Sequence, residues 1–284
     1  MTYNPSVISG HMNYRQSAGT SNELALGAVG GASITMDVFK PLVDVLPYID
    51  HEAVAYFQYE NQPNYMAEGT FTIKELTENG LSKTTITLYD NVERLKKDAY
   101  PLLKQIVYPV QANVLFCIVC EYCNIPYHVE QRFLNDFATI TQIPENIDNI
   151  TCFDVMTWIA QISCSIIVAD VDGYLVIKDV GKPQYSRGSN AWNTNVLDSS
   201  MIPIQKPTSV QYKKGEEYIK FTDPSITDVK TLDLSENPFT LNNTDDDVAQ
   251  WLNNILAKVI SMGDIYYWNI KIPSNSYGML CGDS

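Results

Sequence analysis

Basic residues are scarce in this sequence, with 19 Lys and Arg against 33 Asp and Glu over 284 residues. The formal net charge is −14. A surface with that field repels phosphate groups and does not condense on them. We therefore do not expect sequence-specific binding of nucleic acid.

Long apolar runs are also lacking, and none is long enough to cross a bilayer. Residues 1–10 have neither the basic start nor the apolar core of a signal peptide. The expectation is a protein that is made and kept in the cytosol unless another machine exports it.

The signals of a hydrolase are missing as well. The chain has three histidines, His11, His51 and His128, and no serine or cysteine in a nucleophile-elbow context. A catalytic triad would have to be assembled from distant residues, which one sequence does not reveal. We expect no enzyme, and we assign no catalytic, cofactor-binding or metal-binding residue.

Six cysteines stand without a secretory signal or a compact spacing, so a disulfide framework is not expected. The run Cys117-x-x-Cys120-x-x-Cys123 resembles part of an iron–sulfur motif, but Tyr127 stands where a fourth cysteine would be. On a helix the three sulfurs share one face and pack as small apolar groups. We expect free and mostly buried thiols.

Three further motifs have ordinary structural explanations. In Asp170-x-Asp172-Gly173 the glycine comes too early for a calcium loop, and a hairpin turn explains it better. Residues 245–247, three aspartates, suit a helix N-terminus. The glycine-rich run 27–31 lacks the spacing of a dinucleotide loop and is predicted to be a flexible turn, and Glu216-Glu217 a solvated polar turn.

An aromatic cluster in the first third of the chain leaves three interpretations open. Alternation favours ordinary packing on a sheet, a protein interface is next, and a sugar-binding platform is the third. Its members are Tyr48, Tyr56, Phe57, Tyr59 and Tyr65.

Hydrophobic residues make up 45% of the chain, enough for a sizeable core, and the length favours about two domains. Up to Tyr89 the pattern is that of antiparallel strands, including Ser33–Phe39 and Thr70–Leu76. The Asn79-Gly80 pair predicts a tight hairpin between Thr70–Leu76 and a strand over 84–88.

Residues 91–181 change to a mixed pattern. Helices are predicted over 91–99, capped by Asp90, and over 111–123, with an apolar face of Val114, Leu115, Ile118, Val119 and Tyr122. A third helix starts at Thr151, with Asp154 in the reciprocal capping position, and ends near Cys164. A hairpin around residues 170–173 follows it.

Residues 182–284 are again rich in strands, after a Pro, Ser, Asn and Gly segment through Ser189 that indicates an exposed loop. Strands are predicted over 209–212, 218–221 and 264–272. A long helix over 245–262, capped by Thr244 and ended by Gly263, carries a continuous apolar stripe. We therefore predict an α+β protein with boundaries near residues 90 and 181.

Three groups of segments, taken in order, resemble the tail hub or baseplate hub proteins of tailed bacteriophages, a family that includes the N-terminal hub module of tail-associated lysins and endopeptidase tail proteins. The groups are Glu68–Ile73 with Thr85–Asp90 and the Lys-rich helix after it, Asn149–Gln161 with Ala169–Leu175, and Glu236–Phe239 with the long helix and Cys281–Asp283.

The resemblance implies two β-barrel-like tube domains, residues 1–90 and 182–284, with an inserted α+β domain at 91–181 and a ring-forming homotrimer. Its implied place is the virion tail tip or baseplate, between the distal tail protein or tail tube protein and the tip or receptor-binding proteins. The tape-measure protein would end in or above its channel, through which DNA passes without specific binding.

The sequence ends at Ser284, without the appended lysozyme, peptidase or receptor-binding domain of longer relatives, so the resemblance implies no enzymatic activity. Two other functions stay open: a carbohydrate-binding tail-tip adhesin that uses the tyrosines between residues 48 and 65, and a peptidoglycan-degrading tail hydrolase.

Overall fold

A computed structural model describes residues 13–17, 26–58, 65–142, 149–179, 198–204, 207–214, 216–222, 231–241, 243–262 and 265–271. The fold is mixed α+β, as predicted. In the described part of the chain, no helix has the length and apolar character needed to span a membrane.

The strands in chain order are β1 (Asn13–Ser17), β2 (Ala28–Val38), β3 (Glu52–Gln58), β4 (Tyr65–Glu78), β5 (Thr84–Asp90), β6 (Val110–Gln111), β7 (Thr139–Ile140), β8 (Ser165–Ala169), β9 (Leu175–Asp179), β10 (Asp198–Ile204), β11 (Ser209–Lys214), β12 (Glu217–Thr222), β13 (Thr231–Asp233) and β14 (Ile265–Lys271). The α-helices are α1 (Leu42–Val45), α2 (Tyr100–Leu103), α3 (Ala112–Tyr122), α4 (Cys152–Ser163), α5 (Pro238–Leu241) and α6 (Asp245–Ser261), and 3₁₀ helices run over Leu46–Tyr48 and Asn91–Lys96.

A seven-stranded sheet has the order β3-β4-β5-β2-β8-β9, with β1 also paired to β2. The predicted strands at 70–76 and 84–88 are confirmed as parts of β4 and β5, and the one at 33–39 is confirmed up to Val38, where β2 ends. The predicted hairpin is confirmed too, because β4 and β5 pair antiparallel. Its loop is wider than two residues: Asn79 N donates to Lys83 O at 2.9 Å, and Gly80 takes a φ of +96°.

The large sheet crosses the boundary predicted near residue 90. Strand β2 pairs in parallel with β8, with Ala28 opposite Ile166 and Gly30 opposite Val168. Because β8 and β9 belong to the predicted inserted domain, that domain shares a sheet with the first β region. The domain boundaries themselves stay a prediction.

The glycine-rich run 27–31 is not the flexible turn that we expected. Gly27 occupies a turn with φ +75°, but Ala28 already begins β2, and the following glycines lie inside that strand. Gly27 N donates to Ser165 O at 2.9 Å, and a Cβ on Gly27 would meet Gln161 Cα at 2.7 Å. The glycine is required because β2 enters the sheet against the end of α4.

The predicted helix at Thr151 is confirmed as α4, including its capping box. Thr151 Oγ1 accepts from Asp154 N at 3.3 Å, and Asp154 Oδ2 accepts from Thr151 N at 2.8 Å. The helix ends at Cys164, which has a φ of +50°. The hairpin that follows is β8 and β9, and Gly173 supplies the positive φ of its turn, +82°.

Residue Asp90 caps a helix as predicted, but the helix is 3₁₀ and ends at Lys96 instead of reaching Ala99. Asp90 Oδ1 accepts from Val92 N at 3.1 Å, while Oδ2 accepts from Ala32 N in β2 at 2.7 Å. The carboxylate is therefore shared between the helix start and the sheet. After Lys96 the chain turns into extended backbone, and Ala99 N donates to Ile150 O.

Helix α3 is confirmed within one residue at each end, but its buried face differs from the predicted one. Leu115 and Val119 are buried as expected, whereas Val114 is exposed. The rest of the buried face is Ala112, Phe116 and Cys120. The buried face is therefore rotated away from Val114 relative to the predicted one.

The third region contains the predicted strands and the long helix. Strand β11 pairs antiparallel with β12 and in parallel with β13, and β10 pairs with β14. Thr244 Oγ1 accepts from Asp247 N at the start of α6, which confirms the cap. The predicted loop through Ser189 and the stop at Gly263 lie outside the described residues.

Among the described residues, two apolar clusters form the core. The larger one joins α3, α4, α6 and the strands β8, β9 and β11, and it includes Phe116, Met156, Ile167 and Trp251. The smaller one lies between α1 and the sheet strands β2, β4 and β5, around Val45 and Phe71. Helix α6 therefore shares the core of α4.

Two substitutions, one at a glycine in each hairpin turn, test how tightly the β8–β9 turn packs against the rest of the protein. Both Gly173 and Gly80 have positive φ, but a Cβ on Gly173 would lie 2.8 Å from Asn91 Nδ2, while Gly80 has open space around it. We expect Gly80→Ala to lower the free energy of unfolding by about 1–2 kcal/mol from backbone strain alone. Gly173→Ala should cost more, because it also displaces the Asn91 side chain that donates to Gly173 O at 2.7 Å. Urea unfolding measures both, and equal losses would contradict the packing argument.

The buried Asp90 carboxyl should make stability depend on pH. Burial raises the pKa of Asp90 to about 7, and its two backbone N–H donors offset part of that rise. The folded protein then holds a proton that the unfolded chain, with a pKa near 3.8, has released. The free energy of unfolding that this protonation contributes is therefore lost as the pH rises from about 4 to about 7.

Comparison with Asp90→Asn isolates the effect, because every other titrating group is common to both proteins. We expect the free energy of unfolding of the unchanged protein to fall relative to the variant by up to about 1.4 kcal/mol per pH unit over that window. Urea unfolding at several pH values measures the difference. Parallel pH profiles would contradict the prediction.

Candidate functional site

The cysteine run on α3 is packed in the core and does not build a ligand set. Cys120 and Cys123 are buried and Cys117 is half-buried, and the five described cysteines are free thiols, as predicted. Burial raises the pKa of Cys120 and Cys164. The remaining cysteine, at position 281, lies outside the described residues.

One thiol pair joins the ends of two helices. A hydrogen bond from the Cys152 thiol lowers the pKa of Cys123, and the nearby Lys97 ammonium acts in the same direction. Lys97 Nζ also donates to Tyr122 O at 2.8 Å. Within the ranges that the structure describes, no three His, Cys, Asp or Glu side chains come together in a way that could hold a metal ion.

The turn at Asp170 is a hairpin turn, as the sequence indicates. Asp170 Oδ1 accepts from Asp172 N at 3.0 Å and from Tyr174 N at 2.8 Å, so its carboxylate is used by the turn itself. His128 stacks on Tyr174 with 4.7 Å between the ring centroids. The loop is held by its own backbone amides.

The aspartates at 245–247 form the first turn of α6, as expected, and Asp245 makes an ion pair with Lys214 of β11. Glu216 and Glu217 are exposed, but Glu217 already begins β12. These carboxylates lie at the surface where β11 and β12 meet α6.

Of the predicted aromatic cluster, Tyr48 packs edge-on against His51 with 5.9 Å between ring centroids. Tyr56, Phe57 and Tyr65 belong to the paired strands β3 and β4, in agreement with a sheet. Tyr59 lies outside the described residues.

An open apolar groove lies beside α3. Its volume is about 590 Å³, and it is lined by Leu102, Gln105, Ile106, Val107, Pro109, Val110, Gln111, Val114 and Ile118. Val107 and Val114 are 87% and 43% exposed. None of these described lining residues is charged and most are apolar, so the groove suits apolar groups.

Among the described strands, β3 and β12 lie at the edges of their sheets. Strand β3 is the last strand of the large sheet, and β12 is the last strand of the sheet β12-β11-β13. An edge strand presents backbone N–H and C=O groups that can pair with another chain. Sequence reasoning missed both edges, because alternation along a strand predicts one exposed face but not a place at the edge of a sheet.

No protein-family model matches this chain, and no curated protein matches it either. Solved structures similar in fold include the 43 kDa tail protein of prophage MuSo2 from Shewanella oneidensis, with a TM-score of 0.45 and 14% identity over 83% of this chain and 72% of that one. The tail protein from Neisseria meningitidis has a TM-score of 0.48 and 11% identity over 92% of this chain and 75% of that one.

A third solved structure is the prophage tail protein gp18 from Listeria monocytogenes, with a TM-score of 0.40 and 11% identity over 78% of this chain and 64% of that one. The structural neighbours are thus tail proteins, two of them from prophages. With TM-scores below 0.5 and identities of at most 14%, these likenesses carry no functional argument by themselves.

Proposed function

We propose that this protein is a structural component of a phage tail, and more narrowly a hub at the tail tip or baseplate. As a homotrimer it would adapt the hexameric tail tube or distal tail ring to the tip and line or close the DNA channel. A contractile injection particle would use the same part. Its role is to hold neighbours in place, and no reaction is assigned to it.

The observation that carries this proposal is the order of parts along the chain. Two β regions flank an α+β unit, and each β region has an exposed edge strand, β3 in the first and β12 in the second. The segments that resemble tail hub proteins fall on structural elements: β4 and β5, then α4 with the β8–β9 hairpin, then α5 with α6. Three copies of two β regions would give six units around a ring.

Charge is consistent with a DNA channel. A trimer would carry −42, which is three times −14. A channel with that overall charge repels phosphate groups, so DNA passes through without being held. The partners that this place implies are the distal tail or tube protein on one side, the tape-measure protein in the channel, and tip or receptor-binding proteins on the other.

The mass of the purified protein in solution tests the proposal. We expect a trimer of about 96 kDa, three times the 32.0 kDa of one chain, because the hub must form a closed ring. Native mass spectrometry measures it directly, and electron microscopy of the same sample should resolve rings with a central opening. A monomer over the micromolar range that binds no tail component would contradict the hub.

Two further assays separate the other candidate functions. Cleared zones in a peptidoglycan zymogram would instead support a tail hydrolase. Binding to a glycan array that Tyr56→Ala removes would support an adhesin. A trimer that gives neither signal supports the hub.

A further inference from the structure

The exposed face of β3 carries a negative charge followed by an apolar side chain. Glu52 and Val54 are exposed, with 61% of the Glu52 side chain and 42% of Val54 accessible. Ala53 and Ala55, between and after them, are half-buried against the smaller core. Within its own chain, the Glu52 carboxylate lies 3.9 Å from the Arg94 guanidinium.

The exposed face of β12 carries an apolar side chain followed by a positive charge. Tyr218 is 57% exposed, and Lys220 is exposed two residues later. Ile219 and Phe221 are half-buried and pack against the larger core. Each strand therefore turns one face inward and the other toward solvent, and the described residues include no second pairing partner for either strand.

The other end of the large sheet is not open in the same way. Strand β9 is covered by the segment after α3: Leu175 N donates to Pro126 O at 2.8 Å, and Gln131 Nε2 donates to Ile177 O at 2.9 Å. Strand β13, at the far side of the small sheet from β12, is only three residues long. Among the strands whose side chains are described, β3 and β12 are the long exposed edges.

We propose that β3 of one copy pairs antiparallel with β12 of the next copy, with Glu52 opposite Lys220 and Val54 opposite Tyr218. One register places both pairs at once, and it also sets Ala53 opposite Ile219 on the inward faces. The proposal rests on the assembly proposed above and names the surface through which copies of the chain meet.

Charge selects this pairing over the alternatives. On the outward faces, pairing β3 with β3 would bring together two strands whose charged residue is Glu52, and pairing β12 with β12 two strands whose charged residue is Lys220, because Glu217 alternates onto the other face of β12. A parallel arrangement with Glu52 beside Lys220 would leave Val54 beside Thr222 and separate the two apolar residues. Opposite charges facing each other across strands stabilise the pair, whereas like charges oppose it.

The contact is also of the kind that closes a ring. Because β3 and β12 are different surfaces, each copy offers one to each neighbour, which is a heterologous contact. Repeated around an axis, it alternates the first β region of one copy with the second β region of the next. Backbone hydrogen bonds then continue from one chain to the next, as in β-augmentation.

Cysteine cross-linking tests the register. In the double variant Val54→Cys with Tyr218→Cys, directly opposite Cβ atoms lie about 4.5–5.5 Å apart, near the distance that a disulfide spans. Mild oxidation should link copies covalently, so that dimers and trimers appear on a non-reducing gel. Mass spectrometry should find the peptide that contains residue 54 joined by a disulfide to the peptide that contains residue 218. Each single variant should stay unlinked, as should the unchanged chain with its native cysteines.

A matched control keeps Val54→Cys and moves the second cysteine to Thr222, which is also exposed. Four residues along the strand shift the thiol by about 13 Å, so no link should form. A link in Val54→Cys alone would overturn the proposal in favour of a β3–β3 contact. A trimer by mass without the 54–218 link would overturn this surface and leave the hub standing, whereas a monomer would contradict both.

Charge reversal gives an independent readout. Glu52→Lys and Lys220→Glu should each weaken assembly by up to about fivefold per interface, and the double variant should recover most of the loss. Glu78→Lys, an exposed reversal at the tip of the β4–β5 hairpin, should leave assembly unchanged. Dissociation constants from sedimentation measure this, and two single losses that simply add in the double variant would overturn the Glu52–Lys220 pairing.

Discussion

The fold depends on the parallel pairing of β2 with β8. Among the described strands, β2 is the one that pairs both with antiparallel strands of the first β region and with the hairpin that follows α4. At the join, Gly27 leaves no room for a side chain beside Gln161, and its amide donates to Ser165 O. The two parts of the chain therefore meet through backbone, where a side chain on the glycine would separate them.

Polar contacts secure the same join on both sides. Asp90 accepts from Ala32 N in β2 and starts the 3₁₀ helix, and Asn91 donates to Gly173 O in the β8–β9 turn. Lys258 of α6 donates to Cys164 O at 2.6 Å and forms an ion pair with Asp179 at the end of β9. The third region is thus tied to both ends of the β8–β9 hairpin, whose strand β8 pairs with β2.

Local signals in the sequence predicted the elements whose causes are local. The capping box of α4, the aspartates and Thr244 of α6, and the Asp170–Gly173 turn each depend on contacts within a few residues, and each was predicted correctly. The glycine run at 27–31 was mistaken for a turn because its reason, the close approach of α4 and β8, comes from residues far along the chain. The predicted extent of the Asp90 helix was wrong for a similar reason, since Lys97 and Ala99 form backbone hydrogen bonds with Cys152 and Ile150, far along the chain.

The proposed β3–β12 contact could not be predicted from the sequence, for a related reason. The alternation in β3 and β12 predicts strands with one exposed face, but whether a strand lies inside or at the edge of a sheet depends on pairing. Nothing within Glu52–Gln58 says that β4 covers one side only. Once the topology shows that both strands lie at sheet edges, a pairing register can be tested between them. It sets Glu52 opposite Lys220 and Val54 opposite Tyr218.

Open edges carry a cost that explains the charges on them. A long exposed strand can pair indiscriminately with other chains, and proteins place charged residues on such edges to prevent it. Glu52 and Lys220 do this for their own strands, since each repels a second copy of the same edge. The same two charges attract each other, so the feature that discourages random aggregation would favour one specific contact, and assembly would then remove both edges from solvent.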